Sequence, residues 1–424
     1  MKAQTSLNYP YSISGVGLLE DDAFIHQRLQ GGLNTALDSN GTFSFSNPAS
    51  LSSVTLTDLE FGFRLERLDQ QSATARNSFT TGSLDYVALG VPISTKRGIG
   101  FAFGLRPYSK IDYFIQQPSV EDSIDVLTSF EGSGGLNQMR FALGFRIKGG
   151  FSAGISSGII FGNTSHSADK YYASTSDLFS FRRRSNEFYQ GMSNTLGVQY
   201  SGRIGKHLRH VIGASYNLSS TLNVTGDEIV RTYNSAGNFF IDTVIKRTDP
   251  SRSLTLPTGF SAGYTIGNGT TWSLGLQYSK DQWSSFTDLS GKANFYDQDR
   301  VSIGGYFQMK SYGDFAAISG RRERTRNYAK VVRWYYGAST RNLYMNSFSE
   351  QVSEVGINIG LGLPIIRSTY VDEKKKISVI SRVNIGAEYT KRGSTNNGLI
   401  QENTFRLYVG TNFNDKWFTK RKYQ

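Results

Sequence analysis

Apolar and slender residues alternate along most of this chain. Between Ile99 and Arg106 the odd positions hold Ile99, Phe101, Phe103 and Leu105, and the even positions hold Gly100, Ala102, Gly104 and Arg106. From Leu59, "LEFGFRLER" sets Leu59, Phe61, Phe63 and Leu65 against Glu60, Gly62, Arg64 and Glu66. "MRFALGFRIK", "WSLGLQY" and "INIGLGLPI" repeat the rhythm at 139–148, 272–278 and 357–365. A period of two is the signature of a strand. Counting such segments predicts roughly fourteen strands between 53 and 413, each about ten residues or a little more, the length of a tilted membrane-crossing strand.

The connections alternate as well. "STKRG", "IKGGF", "RIGKH" and "IGNGT" read as tight turns, whereas 115–135, 163–188, 220–253 and 282–297 read as long polar loops. Short turns at one end and long loops at the other are the habit of outer-membrane barrels. A soluble sheet places bulky charged groups opposite its apolar face. Here the opposite face is slender, which fits a ribbon whose large residues meet lipid and whose small ones line an enclosed lumen. The fold predicted is all-β, a transmembrane antiparallel β-barrel of about 14 strands. Glu60, Arg64, Arg106, Arg140 and Arg146 are the expected lumen charges. Tyr108, Tyr113, Trp334, Tyr335, Tyr389, Trp417 and Phe418 are expected in interfacial girdles.

Residues 1–52 lack the alternation. "YPYSISGVGLLEDD", "FIHQRLQGGLNTAL" and "NGTFSFSNPASLS" carry apolar groups, among them Phe24, Ile25, Leu29 and Leu33, that need burial. The lumen is the available place, so the chain divides into an N-terminal hatch or plug segment, 1–52, and a barrel with long extracellular loops, 53–424. A disordered tail is the alternative.

Composition narrows the function. The 424 residues include no Cys, 4 His, 45 Gly, 24 Tyr and 28 Phe. Disulfides and thiolate chemistry are excluded, no metal or other cofactor is expected, and mean hydropathy is −0.36. Net charge is +12, spread along the chain. That suits contact with outer-membrane lipid and lipopolysaccharide, and no motif supports nucleic acid. "MKAQTSLNYPYS" has no apolar core of a signal peptide, and "AQ" is read as what remains after cleavage of one, so an exported protein of the Gram-negative outer membrane is expected. "SHSAD" at 165–169 contains Ser, His and Asp, but adjacency in sequence is not a triad, and no enzyme is expected.

"SNPASL" at 46–51, just before the first wall strand, resembles the Asn-Pro-Ala signature of the FadL-like (long-chain fatty-acid transporter-like) outer-membrane barrels, carried by Asn47, Pro48 and Ala49. "YPYSISGVGLLEDD" and "NDKWFTKRKYQ" are similar to the two ends of uncharacterised members whose opening reads "SPYSRFG", with Ile13 and Ser14 standing in place of Arg-Phe. The resemblance implies a fourteen-stranded barrel with a hatch. It also implies passive uptake of a hydrophobic small molecule that enters between the external loops. Tyr171, Tyr172, Leu178, Phe179, Phe181, Phe239 and Phe240 are then candidate ligand or partner contacts. The alternative is a non-transporting accessory barrel within a larger outer-membrane complex, of the type IX-like secretion or assembly kind. Residues 311–328 are read as one amphipathic helix or an exposed connector on the periplasmic rim.

Overall fold

The computed structural model describes residues 8–37, 42–72, 75–172, 178–234, 239–291, 294–316, 321–347, 350–372, 375–396 and 399–417. Fourteen antiparallel strands form the wall: β1 (Thr57–Gln71), β2 (Arg76–Ser94), β3 (Ile99–Glu121), β4 (Ile124–Arg146), β5 (Phe151–Tyr172), β6 (Ser180–Ile204), β7 (Leu208–Asn217 continued by Ser220–Tyr233), β8 (Phe240–Leu256 continued by Gly259–Gly267), β9 (Trp272–Asp281), β10 (Gln298–Phe307), β11 (Arg333–Ser347), β12 (Glu350–Asp372), β13 (Lys375–Arg392) and β14 (Gln401–Asp415). The last strand pairs with the first from Gln401↔Gln71 to Asp415↔Thr57. The sheet therefore closes on itself and leaves no edge along that seam.

Alternation decides which face is which. Phe63, Leu65, Phe103, Leu105, Val198, Ile359 and Val409 stand exposed on the outside, while Glu60, Arg64, Glu66, Ala102 and Ala142 are buried within. The belt carries Trp334, Tyr389 and Trp417 outward, as expected of interfacial aromatics. Phe418 lies outside the described residues. Tyr113 and Tyr335 are buried inside instead, and Tyr108 packs against the internal core. For Tyr113 the cause is a register shift between Pro107 and Ser109, which reverses the phase of the alternation in β3 from Ser109 onwards, whereas Tyr108 keeps the inward phase of Ala102 and Gly104.

The expected long loops 115–135, 163–188 and 220–253 are largely strand. β3 and β4 run on to a turn at Asp122 and Ser123, both with positive φ, and the β5–β6 and β7–β8 hairpins extend likewise. Beyond the membrane the outer face meets water while the inner face still buries Val126, Leu222, Val224 and Leu254, so the large-out, slender-in pattern lapses although the ladder continues. Only 282–297 remains irregular, and its Trp283 and Phe286 turn inward. At the opposite end, the described residues of 308–332 include the helical stretches Tyr312–Ala316 and Arg321–Asn327; 317–320, between them, lie outside the described residues. The ends of the barrel are called here the hairpin end and the turn end.

Residues 8–37 and 42–56 lie inside the wall, running from the hairpin end to the turn end. Tyr9, Tyr11, Val16 and Leu18 join Trp283, Phe286, Leu343 and Tyr344 in an outer apolar cluster. Phe24, Ile25, Leu29, Phe43, Phe45 and Leu51 form an inner one with Tyr86, Tyr335 and Tyr408. This explains the slender inner face of the strands. A Cβ on Gly62 would lie 2.6 Å from Ile25 Cδ1, and one on Gly90 would lie 2.6 Å from Phe43 Cε1. The glycines seat a second layer of polypeptide rather than leaving room for water.

Candidate functional site

Between the two apolar clusters lies a layer of buried charge. "LEDD" leads into it: Glu20 receives both terminal nitrogens of Arg64, at 2.8 and 3.0 Å. Asp21 sits between Arg300 at 2.9 Å and Arg341 at 3.0 Å, and Asp22 between Arg106, at 3.2 Å, and Arg140. The wall adds its own pairs. Arg392 bridges Glu354 and Glu402, and Arg406 bridges Glu66 and Glu388. An unpaired charge in such a place would be very costly, and each of these arginines has a carboxylate facing it. Burial pushes the Asp22 carboxyl up, but Arg106 and Arg140 more than reverse this and hold it at about 2. Arg64 does the same for Glu20, and Arg300 and Arg341 for Asp21; against burial, both carboxyls stay well below the usual range.

The wall is split beside this layer. β2 and β3 pair only from Val87↔Leu105 to Ser94↔Ile99. Towards the hairpin end β2 stays with β1 and β3 stays with β4, so the two strands part. Two local features mark the point of divergence. On β2, Gly62 of β1 faces Tyr86 and Phe63 faces Leu84, which leaves Asp85 as an extra bulged residue aimed inward at Arg28 (3.2 Å) and Arg64 (3.6 Å). On β3, Pro107 has no N–H to give to a neighbouring strand, a residue suited to an edge.

The N-terminal segment takes up the edge of β3 that β2 abandons. Leu18 and Leu19 pair with Lys110 and Ser109. The Glu20 N–H donates to Tyr108 O at 3.0 Å and the Tyr9 N–H to Asp112 O at 2.6 Å. The Asp112 N–H donates to Ser12 Oγ at 3.0 Å, and the Asn8 side-chain oxygen accepts from Phe114 N–H at 2.8 Å. The open edge is thus satisfied by the chain's own beginning. A narrow pocket lies at the split, with lipid-side Val87 and Leu105 and lumenal Asp22, Arg28, Arg106 and Arg140 in its lining. A larger one shares Glu20, Asp21, Asp22, Arg106, Gln138 and Arg140 with it and reaches Phe260 and Trp283.

The expected site residues fall in three places. Glu60, Arg64 and Arg140 are buried in the lumen and Arg106 is nearly so. Arg146 is exposed: it shares their strand face but lies past the end of the lumen, at the rim, where it donates to Ser52 O at 3.1 Å. Asn47, Pro48 and Ala49 are buried at the turn end. The Asn47 side chain accepts from Ala49 N–H at 3.2 Å and donates to Thr35 O at 2.6 Å and Val198 O at 3.1 Å, capping the short turn Pro48–Ser53 and tying it to β6. Leu178, Phe179, Phe181, Phe239 and Phe240 are exposed and Tyr171 and Tyr172 half-buried on the tips of neighbouring hairpins, which β6–β7 pairing at Phe181↔Thr232 brings side by side. They stand far along the strands from the split. In β5, His166 faces away from Ser165, Ser167 and Asp169, and bonds Tyr113 at 2.9 Å, so "SHSAD" assembles no triad. The sequence signal that was missed is "GLLEDD", whose acids answer the lumen arginines one by one.

A family model described as BamG matches residues 1–424. Several solved structures are similar in fold. A Pseudomonas aeruginosa FadL homologue gives a TM-score of 0.60 at 11% identity, covering 94% of this chain and 99% of its own. The Ralstonia pickettii toluene transporter TbuX gives 0.54 at 13%, covering 93% and 99%, and the P. putida toluene transporter TodX 0.54 at 11%, covering 95% and 100%. No curated protein matches the chain in sequence. The barrel is FadL-like, and its structural neighbours are channels and transporters rather than enzymes.

Proposed function

This chain belongs to the BamG family, and from that premise we propose that it is a passive conduit for hydrophobic small molecules in the Gram-negative outer membrane, with its turn end in the periplasm. Residues 1–52 act as the hatch, and the Asn47–Pro48–Ala49 corner anchors it to the wall. The observation that carries the reading is the β2–β3 split, where a cavity lined by lipid-facing Val87 and Leu105 meets the lumen. A molecule taken in at the hairpin end would reach the central cavity and pass sideways into the bilayer through the split when residues 8–20 withdraw. The solved toluene transporters of similar fold support this reading.

The test is uptake of a hydrophobic fluorophore, 1-N-phenylnaphthylamine, by liposomes containing the protein. Uptake above protein-free vesicles, cut at least fivefold by Leu105→Trp at the mouth of the split, agrees with a conduit. Uptake equal to the protein-free background rejects it.

One observation favours a second reading, a non-transporting accessory barrel. Among the described residues Glu20, Asp21 and Asp22 are all engaged by wall arginines within the lumen, while Phe239 and Phe240 are exposed at a hairpin tip. Stoichiometric co-purification with other outer-membrane proteins in mild detergent, together with no uptake, identifies that case.

A further inference from the structure

The two ends of the barrel carry their surface charge differently. At the hairpin end Lys170, Arg182, Arg183, Arg247, Arg252 and Lys280 each face a carboxylate at 2.5–3.3 Å. At the turn end three successive connections, β2–β3, β4–β5 and β6–β7, carry two exposed cations each: Lys96 and Arg97, Arg146 and Lys148, Arg203 and Lys206. Their sequences, "STKRG", "RIKGGF" and "RIGKH", hold no acid. Among the described residues none of these cations has a carboxylate within 4.0 Å. Asp38, outside the described residues, follows Leu37, whose carbonyl accepts from Gln199 Nε2 at 2.8 Å; its single carboxylate would still leave the other cations of the three turns unanswered.

Neighbouring turns at one end of a barrel stand two tilted strands apart, about 12 Å along the rim. The three turns therefore make a basic arc of roughly 25 Å, whose summed potential attracts anions. The arc does not belong to the lipid-facing surface. Ile93, Ile147, Phe151 and Ile204 keep that surface apolar up to the turns, whereas Arg146 and Arg203 share the inward phase of buried Ala142 and Gln199 and so stand at the rim of the mouth. Lipid head groups are thus the poorer match. We propose that this arc docks an extended acidic segment of a water-soluble protein, its carboxylates received by the paired cations of each turn. Spanning the arc takes roughly eight residues of extended chain. The proposal takes from the reading above only that the turn end faces the periplasm, and it stands whether or not the barrel conducts.

Fluorescence anisotropy tests it, with the full-length barrel in phosphatidylcholine nanodiscs and a labelled peptide of three Glu-Glu-Gly-Ser repeats as probe. The peptide should bind, and at least fivefold more weakly when salt rises from 50 to 200 mM, which about halves the screening length. A single repeat, too short for the arc, should bind at least tenfold more weakly, and the Gln-Gln-Gly-Ser peptide not at all. Replacing Lys96, Arg97, Lys148 and Lys206 together by Gln should weaken the long peptide at least tenfold. Replacing the exposed hairpin-end cations Arg76, Arg184, Arg231 and Lys246 by Gln removes the same charge and should change binding less than twofold. Lys206→Glu alone should weaken binding at least threefold, and it carries the test if the fourfold turn-end variant does not assemble. No binding, equal binding of the Gln peptide, or equal loss in the two fourfold variants overturns the proposal. So does a turn-end variant that keeps the peptide but loses phosphatidylglycerol retained by the unaltered barrel in native mass spectrometry, because the arc then serves lipid.

Discussion

Asp21→Asn tests the charged layer at its most connected point. The substitution keeps shape and volume and removes one charge held by Arg300 at 2.9 Å and Arg341 at 3.0 Å. Breaking a buried pair by removing one partner costs about 3–5 kcal/mol. The two arginines are not wholly abandoned. Arg341 keeps Glu354 at 2.7 Å, and Arg300 keeps Gly31 O at 3.0 Å and Ser339 Oγ at 3.3 Å. The lower end, about 3 kcal/mol, is therefore expected. Felt as local opening of the segment after Asp21, this corresponds to roughly a hundredfold faster amide exchange. The assay is hydrogen exchange of residues 23–36 in nanodiscs. Glu121→Gln serves as the control, because its pair with Lys170 lies at a water-exposed hairpin tip and contributes about 1 kcal/mol or less. If Asp21→Asn exchanges within threefold of the control, the layer does not hold the segment and the reasoning fails.

Three further outcomes follow from the packing. Gly144→Val puts a side chain where Pro48 and Leu51 lie against β4; overpacking by about 1–3 kcal/mol should lower the melting temperature and expose residues 42–56 to protease while the wall stays closed. Trp283→Ala empties the centre of the outer cluster, where the indole stacks on Tyr344 at 4.1 Å, and should cost about 3–5 kcal/mol in denaturant unfolding. Acid should weaken the interior: burial, with Arg382 and Arg333 adding to it, holds the His26 imidazole down at about 3, and Asp22 stands at about 2. Both groups take up protons more readily in the unfolded chain. Stability should therefore fall as pH drops, from about 6.5 towards 3 for His26 and from about 4 towards 2 for Asp22. His26→Gln should flatten only the upper part of a melting-temperature profile against pH.

The wall was legible in the sequence because lipid outside and a lining inside impose strict alternation, as in "IGFAFGL" and "INIGLGLPI". Legibility failed wherever that constraint lapses. Above the membrane, the described parts of 163–188 and 220–253 remain strand although the large-out, slender-in pattern lapses there. At Pro107 the register shift turned Tyr113 inward, and Arg146 kept its phase but ran out of lumen. The glycines pointed to a crowded approach without saying that Ile25, Leu29 and Leu51 make it. The split could not be read at all. It consists of pairing that β2 and β3 do not make, together with a partner, residues 8–20, that lies nearly a hundred positions away.

The account depends most on the N-terminal segment closing that split. The chain has no cysteine, so Leu19→Cys with Ser109→Cys, at directly paired positions, gives one defined cross-link. Uptake of 1-N-phenylnaphthylamine by liposomes should fall to background once the pair is oxidised and return on reduction. Equal uptake by the oxidised and reduced protein would contradict the claim.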